Sequence, residues 1–594
     1  MSGINRSAGL VPANTVYRMA PHGAEGTTMA KALDLGKITD IAKKSGSRVG
    51  EKLKKKYPLY ETEPVEDLRA LLAEAAANAG EKIAFREEER ALSYGQLWAD
   101  VQAIAAALEG LGVASSHLAL CGADGADGFT FLLTVLCGSG VLLPLSGELS
   151  DDELLRCLRA GDAEALFAPA SLLPLLREKA ARLSGIRYFI CADLPREAQD
   201  DRFLSYERLL ETGRTLLADG KAGAFAAADP GEPAMLLFEG GRGILLSREN
   251  ILFALNGVLS LTAPCGSRLS VLPLTEPGEL LCTLLPALRE QATVERYEDD
   301  GALLAAFRER KPESVLLTPQ QLEGLYRGIL ATFGEQGKGE LLRSTLRKSD
   351  QLLRAGIDRR KELFESIREV FGGELRRIFC VAAPLRAEAG KFFDSIGIPV
   401  LLGWGVPETA GLAALQRDLR HDPESRGQLL PGYEAEILSP DENGCGEIAL
   451  RGAGLMLGYY NDRKASREAL DGEGRLLTGE IGYLDGKGRL FVTGRKNSRI
   501  LLKNGKTVCP EELEGLLLEI PYVEEASVSA YGEDENETKL CALLSLREET
   551  VGELSESDRL KLMKREVDDL NESLPSYKQI RRVRIRKTPF PKEG

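Results

Sequence analysis

A chain of 594 residues exceeds what one hydrophobic core serves, so two or more domains are expected, each able to bury an enzyme-sized interior. Hydrophobic residues at 43% and charged residues at 28% are ordinary globular values and exclude wholesale disorder. The formal charge of −14 excludes a general nucleic-acid binder, which needs a basic face to neutralise phosphates, and points to small-molecule ligands instead.

Taken in chain order, residues 1–60 hold few large apolar side chains. Lys43, Lys44, Arg48, Lys52, Lys54, Lys55 and Lys56 make the stretch strongly basic, which predicts a mobile, solvated arm, with peripheral contact to an anionic membrane surface as the alternative. From about Val65 the pattern alternates between helix and strand. Ser93 and Gln96 form a capping-box signature, followed by a helix face of Leu97, Val101, Ile104, Ala105 and Leu108. Phe129–Cys137 reads as a buried helix and Val141–Leu145 as a buried strand, and the uncharged run they share is too short and broken to span a membrane. A helix at Asp151–Ala160 and a strand at Ala165–Phe167 extend the alternation, which implies βαβ units. Residues 61–494 are therefore expected to form a large α/β domain of doubly wound mixed and parallel sheets. Beyond it, residues 495–594 read as a small, separate α+β domain. Its strands are Ala526–Tyr531 and Lys539–Leu546, and its amphipathic helix spans Ser555–Leu574 with Leu560, Met563, Val567, Leu570 and Leu574 on one side.

The ten cysteines are scattered singly, which indicates neither a zinc site nor a disulfide framework and suits a reducing cytoplasm. His22, His117 and His421 sit in no catalytic motif and read as surface or structural residues. The start of the chain has no signal-peptide pattern, so a cytoplasmic location is expected.

LLTGEIGYLDGKGRLFVTGRKNSRILLKNGKTVCPEELE, from Leu476 to Glu514, resembles a signature of the acyl-adenylating, AMP-forming superfamily. REVFGGELRRIFCVAAPL, from Arg368 to Leu385, and GIPVLLGWGVPETAG, from Gly397 to Gly411, resemble its long-chain acyl-CoA synthetase branch. The resemblance implies a two-step reaction. A carboxylate attacks the α-phosphate of Mg-ATP to give an acyl-adenylate, then the CoA thiol displaces AMP, with the small domain rotating between steps. It also implies roles residue by residue. Glu408 stands at the magnesium position, and Trp404 and Gly405 lie along the adenine, with Ala382 and Ala383 beside it. Glu480 and Arg495 are at the ribose, Asn497 at the hinge, and Gly505 and Lys506 on the loop that approaches CoA.

The chain departs from the family in one consistent direction. Where the family has the phosphate loop T-S-G-T-T-G-x-P-K-G, this chain has Phe238-Glu239-Gly240-Gly241-Arg242-Gly243, between family-like MLLF and ILLSRENI. The hydroxyl donors are gone, Glu239 brings a carboxylate to where phosphate charge should lie, and Arg242 with Gly243 could replace the Lys-Gly pair. Glu480 replaces the usual Asp, Thr275 and Glu276 replace histidines near the acyl site, and Cys380-Val381-Ala382 replaces Ser-Gly-Gly. The chain ends at PFPKEG, short of the segment carrying the adenylation lysine, and no such role falls to Lys592. Two readings stay open: an acyl-CoA ligase with an unusual phosphate grip, or a non-catalytic member that binds an acyl chain, a nucleotide or a protein partner.

Overall fold

A computed structural model describes residues 59–586, apart from 89, 193, 196–197, 199, 223–224, 226–227, 298–302, 382–384, 419–421, 423, 497, 499, 502–506, 509, 532–538, 553 and 577. The basic arm, Ala382, Ala383, Asn497, Gly505, Lys506, His22, His421 and Lys592 therefore lie outside the described residues. The chain divides into two compact units. One is residues 1–383, 389–421 and 453–463; the other is 384–388, 422–452 and 464–594.

The first unit is built on two long sheets. In one, parallel strands run in the order Ile83–Glu87, Thr293–Arg296, Ser267–Ser270, Ser314–Leu316, Arg377–Cys380 and Val400–Trp404, with the antiparallel Arg90–Ser93 and Ala414–Leu415 beyond either end. The other runs Gly458–Tyr459, Arg242–Ser247, Pro233–Glu239, Val141–Leu145, His117–Cys121, Ala165–Ala168, Tyr188–Cys191 and Phe203–Ser205. Its central strands are parallel, and the hairpin Pro233–Glu239/Arg242–Ser247 closes one side antiparallel. The central strands are apolar on both faces, as a sheet covered by helices requires.

The expected elements are present. Ser93 accepts from the Gln96 amide and Gln96 answers the Ser93 amide, starting the helix Tyr94–Gly110 with Leu97, Val101, Ile104 and Leu108 buried. Asp151–Ala160 starts on a second capping box, Ser150 with Glu153. The helix ending at Cys137 begins earlier than expected, at Ala126, where Glu87 accepts the orphan Ala126 amide from a neighbouring strand. His117 lies on a strand with Nδ1 against the Gly161 carbonyl at 2.7 Å, a structural role.

In the second unit, Glu434–Leu438, Gly446–Arg451, Leu476–Leu484 and Leu490–Arg495 form an antiparallel sheet. By packing, residues 422–452 and 464–494 group with the C-terminal segment, whereas the sequence reading ended the large domain at 494. Three turns of this region share one device. Asp441, Asp471 and Asp485 each accept backbone amides two and four residues on, and each turn has a left-handed glycine, Gly444, Gly474 or Gly488. The device at Asp485 sets the start of the last strand at Leu490. The C-terminal portion packs Pro510–Leu518 and Glu556–Ser573 on the sheet Val523–Tyr531, Lys539–Leu546 and Ile580–Arg586, with Leu513, Leu517, Val528, Leu544, Met563 and Val567 in its core.

Candidate functional site

The shortened phosphate segment is a two-residue β-hairpin. Glu239 pairs with Arg242 across the ladder, and Gly240 and Gly241 carry φ of 56° and 79°, the both-positive geometry of a type I′ turn that needs residues like glycine. Nothing lies within 4 Å of where a Cβ would stand on either glycine, so the tip projects away from the rest of its unit. Behind the tip the hairpin is firmly held. Ser247 and Asn250 form a buried capping box that starts the helix Arg248–Leu261, and Arg248 Nη2 donates to the Gly140 carbonyl at 3.0 Å.

The strand after the turn carries a second edge. Gly458–Tyr459 pairs with it antiparallel, with Leu457 N donating to Leu245 O at 2.8 Å and Tyr460 N to Gly243 O at 2.7 Å. Successive side chains on a strand point to opposite faces, and the two tyrosines show it. Tyr460 donates to Asp162 at 2.9 Å and lies against His117. Tyr459 donates to Glu408 Oε1 at 2.6 Å, while the Arg242 guanidinium sits over its ring, 5.6 Å from the centroid. Burial, then the bonded Glu408 carboxylate, push the Tyr459 hydroxyl well above the ordinary phenol range and keep it a donor.

Glu408 itself lies in the single turn Pro407–Thr409, just after the strand Val400–Trp404. Thr409, fully buried, accepts from the Val406 amide, and Met456 N donates to the Glu408 carbonyl at 2.8 Å. The structure thus brings together Arg242, Glu408 and Tyr459 from three separate segments. Trp404 is only 7% exposed. At Gly405 a Cβ would stand 2.4 Å from Leu412 N, so close backbone approach requires glycine there. A Cβ on Gly278 or on Gly403 would stand 2.7 Å from a Val381 methyl, so Val381 fills the space between the two.

In the second unit, Glu480 and Arg495 face each other directly across neighbouring strands, with Arg495 Nε donating to Glu480 Oε1 at 3.1 Å. The two expected ribose contacts are each other's partner.

Among the described residues no group of three or more His, Cys, Asp or Glu side chains could hold a metal. Magnesium commonly needs only one protein carboxylate beside water and phosphate oxygens, and Glu408 would supply that carboxylate here.

Comparison with known proteins agrees with this layout. The family described as AMP-binding enzyme matches residues 72–460, and its C-terminal domain matches residues 497–593. The chain belongs to the AMP-binding enzyme family. Within it, the chain falls in the long-chain acyl-CoA synthetase-like branch. It is similar to the human long-chain-fatty-acid–CoA ligase ACSBG1, 26% identical over 356 residues, covering 54% of this chain and 48% of that protein. It is also similar to the peroxisomal long chain acyl-CoA synthetase 7 of Arabidopsis thaliana, 25% identical over 454 residues, covering 71% of this chain and 64% of that one. The match thus spans about half the length of the first of these relatives. Among solved structures, the anthranilate CoA ligase AuaEII in complex with anthranoyl-AMP shares the fold, with a TM-score of 0.70 at 19% identity over 90% of this chain and 95% of that one.

Tyr459 is the site residue that sequence reasoning missed. Its signal was the tyrosine pair after Gly458, and a separation of 51 residues along the chain does nothing to link Tyr459 to Glu408. Only the strand pairing with Arg242–Ser247 aims its hydroxyl there. Beneath the site lies a second unforeseen feature. Glu279 is fully buried ahead of a π-helical turn, Leu280–Leu284, with Ser270 and Thr283 beside its carboxyl but no hydrogen bond of good geometry to it. Burial pushes its pKa up to about 8 against the pull of Arg296.

Proposed function

We propose that this chain is an acyl-CoA synthetase-like protein whose ATP-dependent adenylation is impaired, with a nucleotide site suited to an adenylate rather than to a triphosphate. The observation that carries this reading is the two-residue turn at Gly240–Gly241. Its flanking residues are committed to the strand pair, so no run of amides is left to converge on the β- and γ-phosphates.

Other features support the same reading. Val381 occupies room that glycine leaves open elsewhere in the family, and the Glu480–Arg495 pair must be shared or opened for a ribose to enter. The contacts left for a single phosphate are Arg242 and a magnesium ion on Glu408, with Trp404 and Gly405 along the base. When bound, magnesium would neutralise phosphate charge. The further assignments are Ala382 and Ala383 beside adenine, Asn497 as hinge near a functional boundary at 494, and Gly505 with Lys506 toward CoA. The acyl ligand is proposed to be a fatty acid, by likeness to the long-chain relatives, with Mg-ATP and CoA as the family's co-substrates. The nine described cysteines are free thiols, which supports a reducing, cytoplasmic setting. No helix among the described residues is long and apolar enough to cross a membrane, and membrane contact by the basic arm at 1–60 is kept as a proposal.

ATP–pyrophosphate exchange with a panel of fatty acids tests the reading. Exchange is expected at background, while AMP or a non-hydrolysable acyl-adenylate raises the melting temperature, by about 2.7 kcal/mol of stabilisation at a hundred times Kd. Robust exchange would overturn it in favour of a working ligase. The place of Arg242 beside the Tyr459–Glu408 pair is what favours that second reading.

A further inference from the structure

We infer that Tyr459 is a positioning residue for metal–nucleotide binding at Glu408, an inference that rests on the reading of Glu408 as the magnesium carboxylate. The Tyr459 hydroxyl donates to Glu408 Oε1 at 2.6 Å and so fixes the carboxylate that the metal reading assigns to the cation. Metal-binding carboxylates need such a partner, because an unrestrained side chain must lose its rotamer freedom when the ion arrives.

The tyrosine is itself fixed from three sides. Its backbone is locked into the sheet, since Leu457 N and Tyr460 N donate to carbonyls on either side of Ile244. Its ring lies beneath the Arg242 guanidinium. Its segment is tied back to the Glu408 turn by the Met456 amide, and to the start of the helix Arg248–Leu261 by Asn250 Nδ2, which donates to the Ala453 carbonyl at 2.8 Å. The same strand thus connects the phosphate remnant to the metal carboxylate. Arg242 serves twice, as the phosphate-side cation and as the lid on the ring that orients Glu408. With the loop hydroxyls gone, Tyr459 places a side-chain hydroxyl on Glu408 at this corner of the site.

The test is Mn2+ binding followed by electron paramagnetic resonance on the full chain with AMP, in the wild type, Tyr459→Phe and Glu408→Gln. Tyr459→Phe is expected to weaken Mn2+ by about tenfold and Glu408→Gln to abolish binding. A second measurement needs no variant to fold: adding Mn2+ and AMP to the wild type should give a near-ultraviolet tyrosine difference spectrum, since the ion draws charge from the carboxylate bonded to the phenol. Equal Mn2+ affinity in Tyr459→Phe, with binding lost in Glu408→Gln, would overturn the role of Tyr459 and leave Glu408 standing. Binding unchanged in Glu408→Gln, or absent from the wild type, would overturn the Glu408 reading and this inference together.

Discussion

Two regions of the same unit show how differently a site and its scaffold tolerate change. A Cβ added at Gly240 or Gly241 would meet none of the described residues within 4 Å, so the tip can change without overfilling a packed neighbour. Along the strands Ser267–Ser270 and Thr293–Arg296 and the helix before the second of them, charged groups are buried. Arg268, 1% exposed, donates to Glu290 at 2.7 Å and to the Cys282 carbonyl, Glu279 is sealed from water, and Arg296 donates to the Ser270 hydroxyl. A group in that layer cannot lose its partner cheaply. The contrast explains how the hairpin tip can shorten while the fold beneath it stays whole.

The strongest way to break the comparison is Glu290→Ala. Leaving Arg268 buried without its carboxylate is expected to cost about 3–5 kcal/mol, measured by urea denaturation. A loss under about 1 kcal/mol would mean that the layer is as tolerant as the tip.

Glu279→Gln gives a smaller effect that depends on pH. Because the folded pKa, about 8, lies above the unfolded one, the folded state holds a proton that the unfolded chain releases. The stability linked to Glu279 is therefore full below about pH 4.5 and lost progressively as pH rises to about 8. Glu279→Gln should match the wild type near pH 4 and be clearly more stable than it near pH 9. Parallel stability curves for the two proteins between those values would sink this account.

Gly241→Val sharpens the comparison from the other side. A branched side chain at φ 79° is strained, but there is open space around it, so the expected cost is strain alone, roughly 1–2 kcal/mol. A larger loss would show that the tip is packed after all.

Much of this was written along the chain. Capping boxes at Ser93 and Ser150, the apolar run Val141–Leu145 and the alternation around them announced βαβ units, because caps and periodicity are local properties. The family signature around Leu476–Glu514 was equally legible, and the shortening between Phe238 and Gly243 could be seen as missing letters.

Other features waited for the tertiary structure. A missing loop does not say what replaces it; the pairing of Glu239 with Arg242 makes it a two-residue turn. Glu279 and Glu290 look alike in sequence, yet Glu290 is ion-paired to Arg268 while Glu279 is buried with its pKa raised, since burial is decided by elements far apart in the chain. The meeting of Arg242, Glu408 and Tyr459 belongs to the same class. Residue types and local periods set the strands and helices, but a strand pairing between segments more than two hundred residues apart decided which hydroxyl met which carboxylate.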